Sequence, residues 1–406
     1  MGLISTTRSV ARFGSRRGTR TARRLRRVAG IDDLRAVAER RLPAGIFDYI
    51  DGGAEDERTL AANVGAFREV VFEPRVLRDV SNIDTSTEFL GAPLSMPVML
   101  SPTGFTRIAH SQGELSAARA ASRWSIPYCL STLSTRSIEE VAQVCDGPKW
   151  FQVYVWRDKA MLADMLARAA HQGYGVIMLT VDTAVLGKRE RDVRRGFTLP
   201  PTLGVSTLLD GITHPAWLWD FLTHGPITFS NVARSGGFDA GTAVTLSDFI
   251  AEQFDPALSW DDIDWFRAHW NGPILVKGIQ SAEDAAIAVR RGIDGIGVSN
   301  HGGRQLDRAP ASLDILRAVA DRVGGAVPIV VDGGIRRGAD IVAALAHGAT
   351  LCGIGRAYLY GLGAAGEAGV DKALEVLRDE MVRTMSLLGV SRIDQIDSSV
   401  IAGGPR

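Results

Sequence analysis

Eight short apolar runs, each ending at or beside a polar residue and most of them separated by stretches of helical character, constrain this chain more than any other feature. They are Pro97–Ser101, Pro127–Ser131, Trp150–Val155, Val176–Val181, Ile274–Val276, Ile296–Val298, Ile329–Val331 and Leu351–Ile354. Runs this short and this rich in β-branched residues read as strands, and successive parallel strands need a crossover, usually a helix. The pattern predicts an α/β fold of the (β/α)8, or TIM, barrel type, with a doubly wound open sheet as the competitor. An internal echo favours the barrel. Val276-Lys277-Gly278-Ile279, Gly292 and Gly297-Val298-Ser299 recur as Val331-Asp332-Gly333-Gly334-Ile335, Gly348 and Gly353-Ile354-Gly355. A barrel would also gather Ser101, Ser131, Gln152, Tyr154, Thr180, Asp182, Lys277, Ser299, His301, Asp332 and Arg356 at one C-terminal mouth.

Around these runs the chain divides into four parts. Ile31, Leu34, Val37, Ala38 and Leu42 recur at helical spacing until Pro43, a second helix is expected over 46–50, and a third over 54–67. Residues 31–90 therefore read as a helical lead-in, 91–360 as the barrel and 361–406 as a closing helix and tail. The connection 187–261, after the fourth strand, is far longer than barrel loops usually are and reads as an insertion. Trp217, Trp219, Trp260, Trp265 and Trp270 lie in it or just beyond it. Its aromatic stretch 210–225 suits either a bilayer interface or packing against the barrel or an oligomer partner.

The zero net charge hides an asymmetry: residues 1–30 hold nine arginines and no acid, leaving 37 basic against 46 acidic residues in the remainder. A like-charge block of this kind reads as a disordered, solvated tail. No apolar h-region follows the arginines and no run approaches the ~18 residues of a spanning helix, so any membrane contact is expected to be peripheral. Cys129, Cys145 and Cys352 each stand alone, which argues against a disulfide framework or a cysteine-based metal site and points to the cytoplasm.

Gly361-Leu362-Gly363-Ala364-Ala365-Gly366 satisfies G-x-G-x-x-G, but the residues before it do not read as a strand, and the fingerprint needs strand, turn and helix together. Neither a Walker A sequence nor H-E-x-x-H occurs. The informative run is Val298-Ser299-Asn300-His301-Gly302-Gly303-Arg304-Gln305-Leu306-Asp307. It sets an imidazole at a strand end, two glycines that let a substrate approach the backbone, and a guanidinium three residues on. A base beside an anion clamp implies a carboxylate substrate deprotonated close to its carboxyl group.

This run resembles the signature of the FMN-dependent α-hydroxy acid oxidase and dehydrogenase family, a TIM-barrel family. Further matching blocks are Phe47-Asp48-Tyr49, Gly52-Gly53-Ala54-Glu55-Asp56, Ser101-Pro102-Thr103-Gly104, Leu130-Ser131-Thr132, Phe151-Gln152-Val153-Tyr154, Thr180-Val181-Asp182, Gly187-Lys188-Arg189-Glu190-Arg191-Asp192, Val276-Lys277-Gly278, Asp332-Gly333-Gly334-Ile335-Arg336 and Gly355-Arg356-Ala357. They cover residues 31 to about 390 in the family's order. Ser101 to Arg107, His214 to Trp219 and Gly361 to Val370 are most similar to bacterial L-lactate dehydrogenases of the quinone type.

The resemblance implies that His301 removes the α-hydrogen as a proton, or the hydroxyl proton during hydride transfer, with Asp182 stabilising the imidazolium. It implies a carboxylate clamp of Arg304 and Arg189, assisted by Tyr154 and Tyr49. Lys277 is similar to the lysine beside the flavin N1 and C2 carbonyl. Pro102, Thr103, Gly104, Ser131, Gln152, Thr180 and Ser299 match positions around the flavin ring and ribityl chain, and Asp332, Gly334, Arg336, Gly355 and Arg356 match the ribityl and phosphate site. Gly104 stands where several oxidases carry alanine, so extra room beside the flavin is expected there.

The expected function is FMN-dependent oxidation of an (S)-2-hydroxy acid, L-lactate to pyruvate, with electrons passed to a quinone or other carrier. An oxidase or monooxygenase using O2 and a mandelate-type dehydrogenase remain alternatives. The implied setting is a homotetramer in the cytoplasm or on the inner face of the membrane, with no metal and no nucleic acid. A Schiff-base aldolase using Lys277 is the same-fold rival, and an inactive membrane-docked scaffold the rival of another class.

Overall fold

The computed structural model describes residues 19–195, 210–236 and 252–403. A short hairpin, β1 (Thr87–Phe89) with β2 (Ala92–Leu94), precedes eight strands: β3 (Val98–Leu100), β4 (Tyr128–Ser131), β5 (Lys149–Tyr154), β6 (Val176–Thr180), β7 (Ile274–Ile279), β8 (Gly295–Val298), β9 (Ile329–Asp332) and β10 (Leu351–Ile354). All eight pair in parallel with their sequence neighbours, and β10 closes on β3, so the sheet is a complete barrel and the open-sheet alternative falls.

Strand alternation explains how one barrel holds both a core and a site. Met99, Cys129, Trp150, Met178, Leu275, Val330 and Leu351 form the apolar interior, closed from below by Phe89 and Leu94 of the hairpin. Side chains two residues further along a strand share the same face one layer higher. In β5, β6, β7 and β9 those residues are Gln152, Thr180, Lys277 and Asp332. The polar mouth thus rests directly on a packed floor. The hairpin had no place in the sequence reading; its three-residue strands are too short to show a period.

Gly278 marks an irregularity in β7 that the site needs. The register with β8 slips between Lys277 and Ile279, and Gly278 has φ +112°, in the region that favours glycine. A Cβ there would stand 2.8 Å from that of Asp182, so the bulge is what lets β7 lie beside the Asp182 backbone.

The lead-in helices are Ile31–Arg41, Ala44–Asp51 and Arg58–Glu69. The third begins four residues later than expected, because Glu55 and Glu57 take left-handed conformations in a tight turn ahead of it. Arg20–Leu25 also forms a short helix, its N-terminus held by the Thr19 hydroxyl, so part of the arginine-rich stretch is ordered; residues 1–18 lie outside the described residues. The G-x-G-x-x-G match falls in the helix Arg356–Ala365, where no nucleotide turn exists. Its glycines serve packing: a Cβ on Gly361 would overlap the carbonyl of Gly369 in the following helix, Glu367–Leu388.

The insertion is described except for 196–209 and 237–251. Its helix Pro215–Thr223 is two-faced. Trp217 is buried and its indole N–H donates to the Ile108 carbonyl at 2.7 Å, while Trp219 is 73% exposed and Leu222 68%. Arg107 donates to the carbonyls of His224, Gly225 and Pro226, and the Asp220 carboxylate accepts from the Ser111 N–H and hydroxyl. The insertion is therefore pinned to the loop after β3.

Candidate active site

The loop after β8 makes its turn with three consecutive left-handed residues, His301, Gly302 and Gly303, at φ +58°, +64° and +74°. Two are glycines, which adopt this at little cost, and the third carries the ring that faces the mouth. The Ser299 hydroxyl accepts from the His301 N–H at 3.0 Å. Nδ1 of His301 lies 3.0 Å from Oδ1 of Asp182, just past the end of β6, leaving Nε2 as the nitrogen available to a substrate. The Asp182 side chain is only 2% exposed, and its Oδ2 has no hydrogen-bond partner among the described residues. Burial works to raise its carboxyl, but His301 and Lys277 outweigh that and hold it below the usual range.

Gln305, in the same signature run, was given no role by sequence. Its amide N–H2 donates to the carbonyls of Asp182 (2.9 Å) and Val185 (3.0 Å), and its Oε1 accepts from the Gly187 N–H. It ties the His301 loop to the loop that carries Asp182 and Arg189. Asn300 and Asn63 were likewise unassigned singly or missed. Their side-chain amides pair reciprocally at 2.8 Å in full burial, fastening the third lead-in helix beneath the same loop.

Across the mouth stand Arg304 and Arg189, both packed on the Tyr49 ring, with guanidinium carbons 5.1 and 5.4 Å from its centroid. Arg304 donates to the carbonyls of Tyr49 (2.7 Å) and Gly52 (3.1 Å), and Arg189 to the Asp192 carboxylate (2.8 Å). Burial first, and then the neighbouring Arg189, push the Arg304 guanidinium down to about 9. Two crowded cations drawn out of water are relieved by an anion, and a bound carboxylate supplies one in fork geometry. Tyr154 packs edge-on against Phe254, 5.2 Å between centroids, and burial raises its phenol far above the usual value, so it stays a hydrogen-bond donor.

The polar layer holds two hydrogen-bonded sets. Ser131 donates to Gln152 Oε1 (3.0 Å), and Gln152 donates to the Thr180 hydroxyl (2.9 Å). Lys277 Nζ donates to the Ser299 hydroxyl (2.9 Å), which donates to Asp332 Oδ1 (2.6 Å); Asp332 Oδ2 is 3.4 Å from Nζ. Burial works to lower the Lys277 ammonium, but Asp332 and Asp182 prevail and hold it above its usual value, so it stays charged.

Most of these groups border one cavity of about 320 Å³. Of the residues expected from sequence, Tyr49, Pro102, Thr103, Gly104, Gln152, Tyr154, Thr180, Arg189, Lys277, His301, Arg304, Asp332, Gly334, Arg336, Gly355 and Arg356 line it. Asp182, Ser131 and Ser299 stand behind the lining and orient it. At the far end, the helix Arg356–Ala365 begins at Gly355, presenting the unsatisfied N–H groups of a helix start. Arg336 lies over the Tyr360 ring there, and Arg356 spends donors on the carbonyls of Ile50, Gly302 and Gly52. A buried ammonium at Lys277, the Asp332 carboxylate as an acceptor, and a helix start with arginines fit the ring, polyol and phosphate of FMN in that order. Gly104 does not leave the expected room: a Cβ there would come within 3.0 Å of the Leu133 carbonyl and 3.1 Å of its Cβ. The apolar wall of Phe105, Leu133, Leu186, Phe229 and Phe254 was missed, because two of its rings come from the insertion, where no periodic signal points to them.

The profile of the family described as FMN-dependent dehydrogenase matches residues 38–403. A putative L-lactate dehydrogenase of Mycobacterium tuberculosis is 47% identical over 375 residues, covering 92% of this chain and 89% of the relative. L-lactate dehydrogenase of Alcaligenes faecalis is 43% identical, covering 93% of this chain and 100% of that one. Among solved structures, an (S)-mandelate dehydrogenase described as a monotopic membrane protein superposes with a TM-score of 0.89 at 39% identity, covering 92% of this chain and 99% of the other. The barrel, the cavity suited to a flavin and these matches over nearly the whole chain lead to one conclusion: the chain belongs to the FMN-dependent dehydrogenase family.

Proposed function

We propose that the protein oxidises an (S)-2-hydroxy acid, L-lactate to pyruvate, and passes the electrons to a quinone or other carrier. The observation that carries this reading is the His301–Asp182 pair facing the Arg304–Arg189 pair across one cavity. Relatives named L-lactate dehydrogenase at 42–47% identity support lactate in particular. The two guanidinium groups take the carboxylate, with Tyr49 and Tyr154 at its side. Nε2 of His301 takes a proton, from the α-carbon or from the hydroxyl, and the Asp182 carboxylate stabilises the imidazolium so formed. FMN, when bound, supplies the two-electron acceptor. Lys277 keeps a fixed positive charge in the floor, held in place by Ser299 and Asp332; Pro102, Thr103, Gly104, Gln152 and Thr180 would border the ring, and Gly334, Arg336, Gly355 and Arg356 the phosphate end.

The same reading includes peripheral docking on the inner face of the cell membrane through 210–225. Exposed Ile212, Trp219, Phe221 and Leu222 support it, as does the description of the mandelate dehydrogenase as monotopic. No helix among the described residues is long and apolar enough to cross a membrane. Assembly as a homotetramer is part of the proposal; exposed Val76 and Leu77 on the lead-in offer apolar contact surface.

A steady-state assay with L- and D-lactate tests the reaction and its acceptor together. Turnover of the L-isomer alone, faster with a soluble quinone analogue than with air, is expected. Activity on neither isomer, or rates in air equal to those with quinone, would contradict it.

A further inference from the structure

The cavity has two unlike halves, and two rings of the apolar half come from the insertion. Once His301 and the Arg304–Arg189 pair fix the hydroxyl and carboxylate of an L-configured acid, and the α-hydrogen points to the acceptor, the α-substituent has one direction left. That direction is the apolar wall. Phe229 and Phe254 stand in it, 2% and 6% exposed, from the outgoing and returning arms of the insertion.

Each ring is locked from behind. Phe229 stacks on Phe105 at 5.3 Å between centroids. The residues after it are tied to the loop following β4: the Ser230 hydroxyl donates to the Thr135 carbonyl (2.9 Å), the fully buried Asn231 amide donates to the Ser134 hydroxyl (2.9 Å), and its Oδ1 accepts from the Ile138 N–H (2.9 Å). Phe254 pairs with Trp156 in an antiparallel bridge, and the Arg157 N–H donates to the Gln253 carbonyl at 3.0 Å. Both arms are therefore part of the barrel mouth, and the backbone that carries each ring is held at the cavity. The cavity, about 320 Å³, lies near the lower end for small-molecule sites and must take the flavin ring as well as substrate.

We infer that Phe229 and Phe254 are specificity-determining residues that together form a size filter, limiting the α-substituent of the substrate to a small apolar group such as methyl. The inference rests on the reading of the site as one for 2-hydroxy acids. It assigns the insertion a second task besides any surface contact: its two anchored arms set which acids react.

The test compares kcat/KM for L-lactate, (S)-2-hydroxyhexanoate and (S)-mandelate in the FMN-loaded wild type and in Phe229→Ala and Phe254→Ala, with Phe229→Leu and Phe254→Leu in case an alanine variant fails to fold. The wild type is expected to prefer lactate, and each alanine variant to shift the ratio toward the larger acids by about tenfold or more, the scale of one or two methylenes in an apolar pocket. The leucine variants should shift it in the same direction by less. Ratios unchanged in folded, FMN-containing variants would overturn the filter, as would a wild type that uses 2-hydroxyhexanoate as well as lactate. A wild type inert toward all three acids would instead overturn the reading of function.

Discussion

Nδ1 of His301 sits 3.0 Å from Oδ1 of Asp182, with the aspartate all but sealed from solvent and the histidine a quarter exposed at the cavity. A buried carboxylate with one strong partner fixes the orientation of that partner and directs its other ring nitrogen toward the cavity. His301→Gln should keep FMN yet abolish reduction by lactate. Asp182→Asn should retain substrate binding while the reduction rate falls by roughly 10² to 10⁴-fold, the usual range for an acid–base contribution. Stopped-flow reduction of both variants checks this; normal rates in either would remove the pair from the reaction.

Arg304→Lys replaces a planar fork with a point charge at a site where the guanidinium also grips the Tyr49 and Gly52 carbonyls. A loss of about 2 kcal/mol for charged hydrogen bonds corresponds to roughly a 30-fold higher half-saturating lactate. FMN content should not change. Steady-state kinetics and the flavin absorbance of the same sample measure both.

Lys277→Met leaves Asp332, whose side chain is 13% exposed, without its cation. Breaking a buried pair from one side costs about 3 to 5 kcal/mol, so the variant should melt earlier and release FMN more readily on dilution. Differential scanning calorimetry and ultrafiltration report on these separately. Unaltered values for both would mean that Lys277 is neutral or solvated, contrary to the charge assigned to it.

Asp51 carries a pH dependence for the lead-in. Burial works to raise its carboxyl, but Arg35, Tyr360 and Arg191 hold it down at about 2 against an ordinary 3.8. A depressed folded-state value means stability fully present above about pH 4 and lost as pH falls toward 2, on the order of 2 kcal/mol in all. Urea unfolding across that window should lose this component in Asp51→Asn. An identical pH slope in the variant would show that the network does not couple to folding.

The barrel was legible because its eight strands are short, β-branched and spaced by crossovers, and every one appears within a few residues of its run in the sequence. The polar layer was legible for the same reason, since alternation puts Gln152, Thr180, Lys277 and Asp332 on one face whatever the loops do. Contacts between distant segments were not. Nothing local in Gln305 says that it braces Asp182, nothing in Asn63 that it pairs with Asn300, and Phe229 and Phe254 sit among aromatic residues that drew attention to the surface instead. Gly104 misled for a related reason: the room that a missing methyl leaves depends on Leu133, which only the fold brings alongside.

The most direct test of the whole account is an anaerobic visible spectrum of the purified holoenzyme before and after L-lactate. The account predicts a bound oxidised flavin whose absorbance bleaches with L-lactate, not with D-lactate, and returns rapidly on adding a quinone analogue. A flavin that stays oxidised under L-lactate would contradict the assignment of substrate, and a protein that cannot be loaded with FMN would contradict the site itself.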